Sequence, residues 1–384
     1  MKNLSAIRKQ FPFTKNIIYF NHAADGPIPL SSLKATLDYY HTLTHRLDIS
    51  TDHHSFLLLD RIRETIAKMI NSSQNEIALT SNTSYGLNIV ANGLNFKAGD
   101  EILLSDVEFP ANVYPWLNLK SRGVRIKFVK NENEFFSIEN LVRAINQRTK
   151  LLSLSSVQFF NGYKNDLEKI GKICRESQII FVVDGIQGVG NSILDVKKSQ
   201  IDFLSCGGQK WLLSAPGTGF FYCSKKFLNK LKPSFFGWLG VDWKIDFTDL
   251  LRYDLKPFDS ARRFEIGSYS YSNLRTFYAS LKLLEKIGIP KIQKQNLALL
   301  DRLIDYLKDS PYQIKSSLDP KHRSSIFSFS AKNGKKLSEK LIKSNIIVSY
   351  REGLIRLSPH FYNTELEIDR LIQILDRKQQ HKFN

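Results

Sequence analysis

Cysteine is scarce in this chain: three residues among 384, Cys174, Cys206 and Cys223. They are too few for a disulfide framework, and their spacing fits neither a zinc ribbon nor a zinc finger, so a reducing compartment is the simpler reading. Long apolar runs are lacking too. Stretches such as IIFVV at 179–183 have only the length of a strand, and the opening MKNLSAIRKQFPFTK carries charge without an apolar segment. Neither a membrane span nor an export signal is expected, and the chain reads as cytoplasmic. HTLTH places His41 and His45 four apart, but HExxH is absent and the other histidines are scattered, which argues against a metal site. Acidic residues are outnumbered, 37 against 55 lysines and arginines, for a formal charge of +18.

A basic balance suits nucleic acid, an anionic surface or an acidic ligand, so the placement of the charge decides. Residues 281–384 carry 20 Lys+Arg against 11 Asp+Glu, half of the excess in about a quarter of the chain. That tail also contains LALLDRLIDYL and TELEIDRLIQIL, whose apolar residues recur at helical spacing, so its lysines read as solvated helix faces. No helix-turn-helix, finger or RNA-binding signature is present, and no nucleic-acid partner is expected.

From about residue 55, helical periodicity alternates with short β-branched runs, which predicts an α/β fold with a mostly parallel sheet. The seven strand candidates are EIALT (76–80), EILLS (101–105), VRIKFV (124–129), LLSLSSV (151–157), IIFVVD (179–184), DFLSC (202–206) and TGFFYC (218–223). Helices are expected at 55–70, 84–94, 137–145, 166–177 and 270–287. Beyond them, SIFSFS (325–330), NIIVSY (345–350) and GLIRLS (353–358) predict short strands of a smaller α+β domain. The expected division is 18–275 for the large domain, with 1–17 and 276–384 forming the small one.

Ligands of open parallel sheets gather beyond the carboxyl ends of the strands. Asp184 and Gln187 follow IIFVV, and Lys210 lies in the glycine-rich GGQKWLLSAPGTGF after DFLSC. Phe109 follows EILLS, and EIALT runs into SNTSYGLN, where hydroxyls and free amides open a helix suited to a phosphate. Singly, each has an ordinary explanation: a helix cap, a solvated lysine, a core ring, a polar helix start. Together, a carboxylate, a lysine, an aromatic face and a phosphate cradle are what pyridoxal 5′-phosphate requires.

The segments YFNHAADGPIP (19–29), TSNTSYGLN (80–88), EFPANVYPW (108–116), VDGIQGVG (183–190), GGQKWLLSAPGTGF (207–220), RRFEIGSYS (262–270) and IRLSPHFYNTELEID (355–369) occur in one order across the chain. In that combination the sequence resembles the class V aminotransferases of the fold type I (aspartate aminotransferase-like) pyridoxal phosphate enzymes. That group also holds cysteine desulfurases, kynureninase and isopenicillin N epimerase. The resemblance implies that Lys210 is the Schiff-base lysine, Asp184 the partner of the pyridine nitrogen and Gln187 the donor near the phenolic oxygen. It implies ring stacking for Phe109, phosphate contacts for Thr83, Ser84 and Gln209, and a contact near the cofactor oxygen for Gln158. Ser268 resembles the hydroxyl that a neighbouring subunit of a homodimer offers to the phosphate, and Arg356 the arginine that grips a substrate α-carboxylate. His22 falls near the site by family position, with a structural hydrogen bond as its expected fate.

Departures from the family narrow the chemistry. Cysteine desulfurases carry a nucleophilic cysteine shortly before the equivalent of Arg356, whereas this chain reads SYREGLIRLS and has no cysteine after Cys223. Gln209 and Phe109 stand where desulfurases commonly have histidine, and Gly207 where many members place a serine. These differences favour an aminotransferase acting on an amino acid and a keto acid, with an epimerase or a desulfurase-like lyase as alternatives. VDGIQGVGN has GxxGxG glycine spacing, not the GxGxxG of a dinucleotide loop, which argues against a nicotinamide enzyme. A basic binding protein that has lost its chemistry would need neither Lys210 nor Asp184.

Overall fold

The protein was analysed as a computed structural model, which describes residues 4–46, 51–244, 246 and 248–376. After the short β1 (Ile18–Tyr19), the strands are β2 (Ile77–Thr80), β3 (Glu101–Ser105), β4 (Arg125–Val129), β5 (Thr149–Ser155), β6 (Ile180–Asp184), β7 (Phe203–Gly207) and β8 (Gly219–Cys223). β2 to β8 are the seven expected strands, and they form one sheet in the order β2-β8-β7-β6-β5-β3-β4. All neighbours pair in parallel except β8, which runs antiparallel to β2 and β7. Most strands are buried along their whole length, because helices cover both faces. One face packs against the helices Thr51–Met69 and Tyr271–Ile287, and the other against Thr83–Gly93.

The connections reverse direction beside β3. The chain passes from β3 outward to β4, then returns to the other side of β3 as β5. Such a reversal leaves a crevice at the carboxyl ends of the two flanking strands, which bear Phe109 and Phe159.

The remaining strands are β9 (Gln313–Ile314), β10 (Phe327–Ser330), β11 (Ile346–Ile347), β12 (Ser349–Arg351) and β13 (Leu354–Leu357). β12-β13-β10-β9 form an antiparallel sheet packed against the helices Ile289–Lys308 and Glu365–Leu375. NIIVSY, expected as a single strand, is divided. β11 pairs in parallel with β1, whereas β12 joins β13, and the chain changes sheets at the buried Val348. A sequence window registers six extended residues and carries no sign of the change of partner. The helix Leu30–His45, largely unread in the sequence, leans on Tyr271–Ile287 through a Ser32–Ser280 hydroxyl contact of 2.8 Å. No helix among the described residues is long and apolar enough to cross a membrane.

Candidate active site

A cleft of about 260 Å³ opens at the carboxyl ends of β6 and β7, and its walls include Asn82, Thr83, Ser84, Phe109, Asp184, Gln187, Gln209, Lys210, Arg351 and Arg356. A roomier hollow of about 520 Å³ near Cys174 and Lys226 lies at the opposite ends of the same strands, away from these groups. Eight of the ten site residues expected from the sequence line the cleft. Gln158 and Ser268 do not.

Asp184 is the last residue of β6. The Ile186 amide donates to its Oδ1 at 2.9 Å, and among the described residues no hydrogen bond reaches its Oδ2. Burial raises its pKa, and the nearby Glu108 carboxylate adds to the effect. Lys210 follows β7 through the GGQ turn, and its Nζ lies 5.5 Å from the centroid of the Phe109 ring. Burial lowers the lysine's pKa against the pull of Asp184, and the cations Arg356 and Arg351 lower it further. Both shifts favour the neutral forms, because burial penalises either charge. Gly26 fixes the lysine's backbone: its amide donates to Gln209 O at 2.8 Å, and a Cβ there would collide with the Lys210 carbonyl.

The helix Thr83–Gly93 aims its amino terminus at the cleft. Asn82 caps it by accepting from Tyr85 N at 2.9 Å, while the first amides, Thr83 and Ser84, have no partner one turn back. Thr83 also fastens this terminus to β7, because its Oγ1 accepts from Gly207 N at 2.9 Å and its carbonyl from Ser205 Oγ at 2.7 Å. Gln209 Oε1 is buried without a partner and lies over the Gly207 Cα, so the amide of Gln209 fills the space that a serine side chain would take at 207. Gln187 donates to Ala23 O at 3.0 Å and accepts from Trp211 Nε1 at 2.8 Å, which leaves one amide hydrogen for a ligand. Phe109 is 40% exposed and is held edge-on by Phe159, with centroids 5.2 Å apart. On the far wall, Arg356 donates through Nε to Ser349 Oγ at 3.0 Å and through Nη1 to Phe159 O at 2.5 Å. Burial, aided by Arg351, lowers its pKa to about 10.

Two of the expected residues do not line this chain's own cleft. Gln158 is wholly buried behind the wall, donating through Nε2 to Glu108 Oε1 at 3.4 Å and leaving its own Oε1 without a partner. The next residue, Phe159, takes the wall position because the chain turns there after β5. Ser268 is exposed and lies outside this chain's own cleft. Conversely, Glu108, Asn82 and Arg351 were not read as site residues. Glu108 is a second buried carboxylate: it accepts from Asn112 Nδ2 and Ser155 N at 2.9 Å and from Ser155 Oγ at 2.5 Å, anchoring the turn that presents Phe109. Its position just before Phe109 was the only signal, and the sequence does not say that it points inward.

The cleft fits pyridoxal 5′-phosphate. A buried carboxylate with a spare oxygen sits at the floor, a lysine and an aromatic ring flank it, and unpartnered helix amides lie at one end beside the side-chain amide of Gln209, whose Nε2 can donate. A model of the family "Aminotransferase class-V" matches residues 18–371. The chain belongs to the class V aminotransferase family. Among its class V relatives, a probable cysteine desulfurase of Methanothermobacter thermautotrophicus is 30% identical over 393 residues, covering 96% of each chain. An uncharacterised aminotransferase of Bacillus subtilis is 26% identical over 379 residues, covering 98% of each. The apo structure of a cysteine desulfurase from Thermococcus onnurineus superposes with a TM-score of 0.88 at 25% identity, covering 99% of both chains. The architecture is thus that of the fold type I enzymes, as expected.

All three thiols of this class V chain are buried, and none lines the cleft. Cys206 on β7 lies within electrostatic reach of Asp184 and Lys210, yet burial and the aspartate hold its thiol protonated. His22 is likewise structural. Its Nδ1 meets Ser358 O at 3.1 Å, its Nε2 meets the Tyr362 hydroxyl at 2.9 Å, and its ring stacks on Trp211. Burial pushes its pKa down to about 3 from 6.5. Between those values the unfolded chain binds a proton that the folded one refuses, so stability falls as pH falls from 6.5 toward 3, by up to about 1.4 kcal/mol per pH unit from this group. The expected result is a Tm that drops over this range in the wild type and drops less steeply in His22→Gln; equal slopes would refute the assignment.

Proposed function

We propose that this chain is a pyridoxal phosphate-dependent enzyme acting on α-amino acids, and that its reaction is transamination between an amino acid and a keto acid. When bound, pyridoxal phosphate supplies an electron sink for the charge that develops at the substrate Cα. The chain's residues do the rest. Asp184 holds a proton at the pyridine nitrogen through its spare oxygen, and Phe109 covers the ring. Thr83, Ser84 and Gln209 hold the phosphate, and Gln187 donates its remaining amide hydrogen to the phenolic oxygen. Arg356, tethered through Nε and Nη1, offers Nη2 to the α-carboxylate and so fixes the direction of the Cα–H bond. Lys210 Nζ, biased toward its neutral form, would take that proton from Cα and, as the ammonium, hold it on the same face for delivery across the substrate nitrogen, two bonds away.

One observation carries the choice of reaction. Among the described residues, apart from the cofactor-facing Asp184 and the arginines, Lys210 is the one titratable side chain on the cleft wall. Transamination needs a single base on one face. Epimerisation calls for an acid on the opposite face, and sulfur transfer to the protein calls for a thiolate; no residue of this chain's cleft supports either.

The desulfurase relatives favour a second reading, cleavage of the C–S bond of cysteine, with a thiol from solution accepting the sulfur. A screen of amino donors against keto acids, run beside sulfide release from cysteine, separates the two. Amino transfer well above sulfide release is expected, and rapid sulfide release without amino transfer would replace the first reading by the second. A homodimer in which the exposed Ser268 serves the neighbouring cleft, and a two-domain division near residue 275, belong to the same proposal.

A further inference from the structure

The β12–β13 hairpin presents two arginines to the cleft, and the proposed function uses only one. Ser349 lies opposite Arg356 in the ladder, and the Arg356 Nε bond to Ser349 Oγ puts both side chains on one face. Arg351 lies two residues beyond Ser349, on that same face by the alternation of a strand. The register is fixed by a two-residue turn, Glu352 at φ 47° and Gly353 at φ 77°, the left-handed pair that a tight hairpin of this hand requires. Diagonal neighbours of this kind are about 7–8 Å apart at their Cα atoms, so the two guanidinium groups converge on one cavity. Both line it. Arg356 is buried and held by Phe159 and Ser349, whereas Arg351 is exposed and has no ion-pair partner among the described residues.

The charges of the cleft then leave one cation unassigned. The phosphate lies at the helix terminus beside Thr83 and Ser84, Asp184 faces the pyridine nitrogen, and Arg356 takes the α-carboxylate. We infer that Arg351 receives a second anionic group, and that the substrate is an α-amino acid whose side chain ends in a carboxylate. This inference rests on the amino-acid reading of the site above and narrows it. It also separates the protein from an enzyme whose substrate is cysteine, which offers no such group.

The test uses holoprotein and unreactive ligands, so it does not depend on which reaction is catalysed. Calorimetric binding of succinate and glutarate is compared with that of butyrate and valerate, which have the same chain lengths and one carboxylate each. One added charge-assisted contact predicts about ten- to a hundred-fold tighter binding of the dicarboxylates. Arg351→Gln is expected to bring the two classes together, Arg351→Glu to reverse the preference, and Arg356→Gln to weaken both. Turnover of aspartate and glutamate against alanine is expected to follow the same order. Equal affinity for both classes in the wild type, or a preference that survives Arg351→Gln, would overturn the inference while leaving the cofactor and Lys210 in place. Retained yellow colour and circular dichroism in the Arg351 variants distinguish this result from misfolding, whereas a wild-type protein that takes up no pyridoxal phosphate would overturn the underlying reading instead.

Discussion

Lys210→Ala is expected to lose the yellow colour of the holoprotein and to lower turnover of any amino substrate by about 10²–10⁴-fold or more. The lower bound follows from removing the cleft's only positioned proton carrier; the covalent attachment of the cofactor is lost with it. Nothing nearby replaces it. Cys206 is buried with its thiol held protonated, His22 and His360 are buried as neutral imidazoles, and the arginines keep their protons. The substitution leaves the fold intact, since the backbone contacts that fix the turn, Gly26 N to Gln209 O and Gly208 N to Thr218 O, involve no lysine side chain. Turnover and visible absorbance of the purified variant check this. Activity within tenfold of wild type would remove Lys210 from the mechanism.

The second large effect concerns stability. Glu265, in the segment RRFEIGSYS, receives Arg63 Nε at 2.9 Å and Arg63 Nη2 at 2.6 Å, and also accepts from Leu79 N at 2.9 Å. The two side chains are each 1% exposed. Removing Glu265 leaves the buried Arg63 only the half-exposed Asp60 carboxylate, 2.6 Å from its Nη1, to balance its charge. Glu265→Ala is therefore expected to cost about 3 kcal/mol, the low end for a broken buried pair, because Asp60 still partners Arg63. Arg63→Met with Glu265→Leu is expected to recover much of that loss, because the charge and its desolvation leave together. Urea denaturation followed by circular dichroism measures both. A single-variant cost within about 0.5 kcal/mol, as at an ordinary surface site, would contradict the reading. The pair also has a functional consequence: it ties the segment that carries Ser268 to β2 and to the helix Thr51–Met69.

The large sheet was legible because most of its strands are short apolar runs buried on both faces, while the edge strand β4 shows instead the alternation of a half-covered strand. Four of the chemical positions, Asp184, Gln187, Lys210 and Phe109, were legible for a related reason: they follow strands directly, where parallel sheets leave their crevices. The small sheet was less so. Its strands are two to four residues long, and the division of NIIVSY depends on β1, more than three hundred residues earlier. Gln158 lies behind the wall because one residue of turn decides whether Gln158 or Phe159 faces the cleft. Glu108 was missed because inward or outward direction in a short turn is set by its tertiary partners, Ser155 and Asn112. Arg351 left more of a trace. The Glu-Gly turn and a two-residue offset from Ser349 place it with Arg356, but only once the pairing of the two strands is known.

The central claim is that this cleft holds pyridoxal 5′-phosphate on Lys210. Borohydride reduction of the holoprotein, followed by proteolysis and mass spectrometry, tests it most directly. The account predicts a single phosphopyridoxyl-modified peptide, the one containing Gly207, Gly208, Gln209 and Lys210. Modification of a different lysine, or none after incubation with the cofactor, would contradict it.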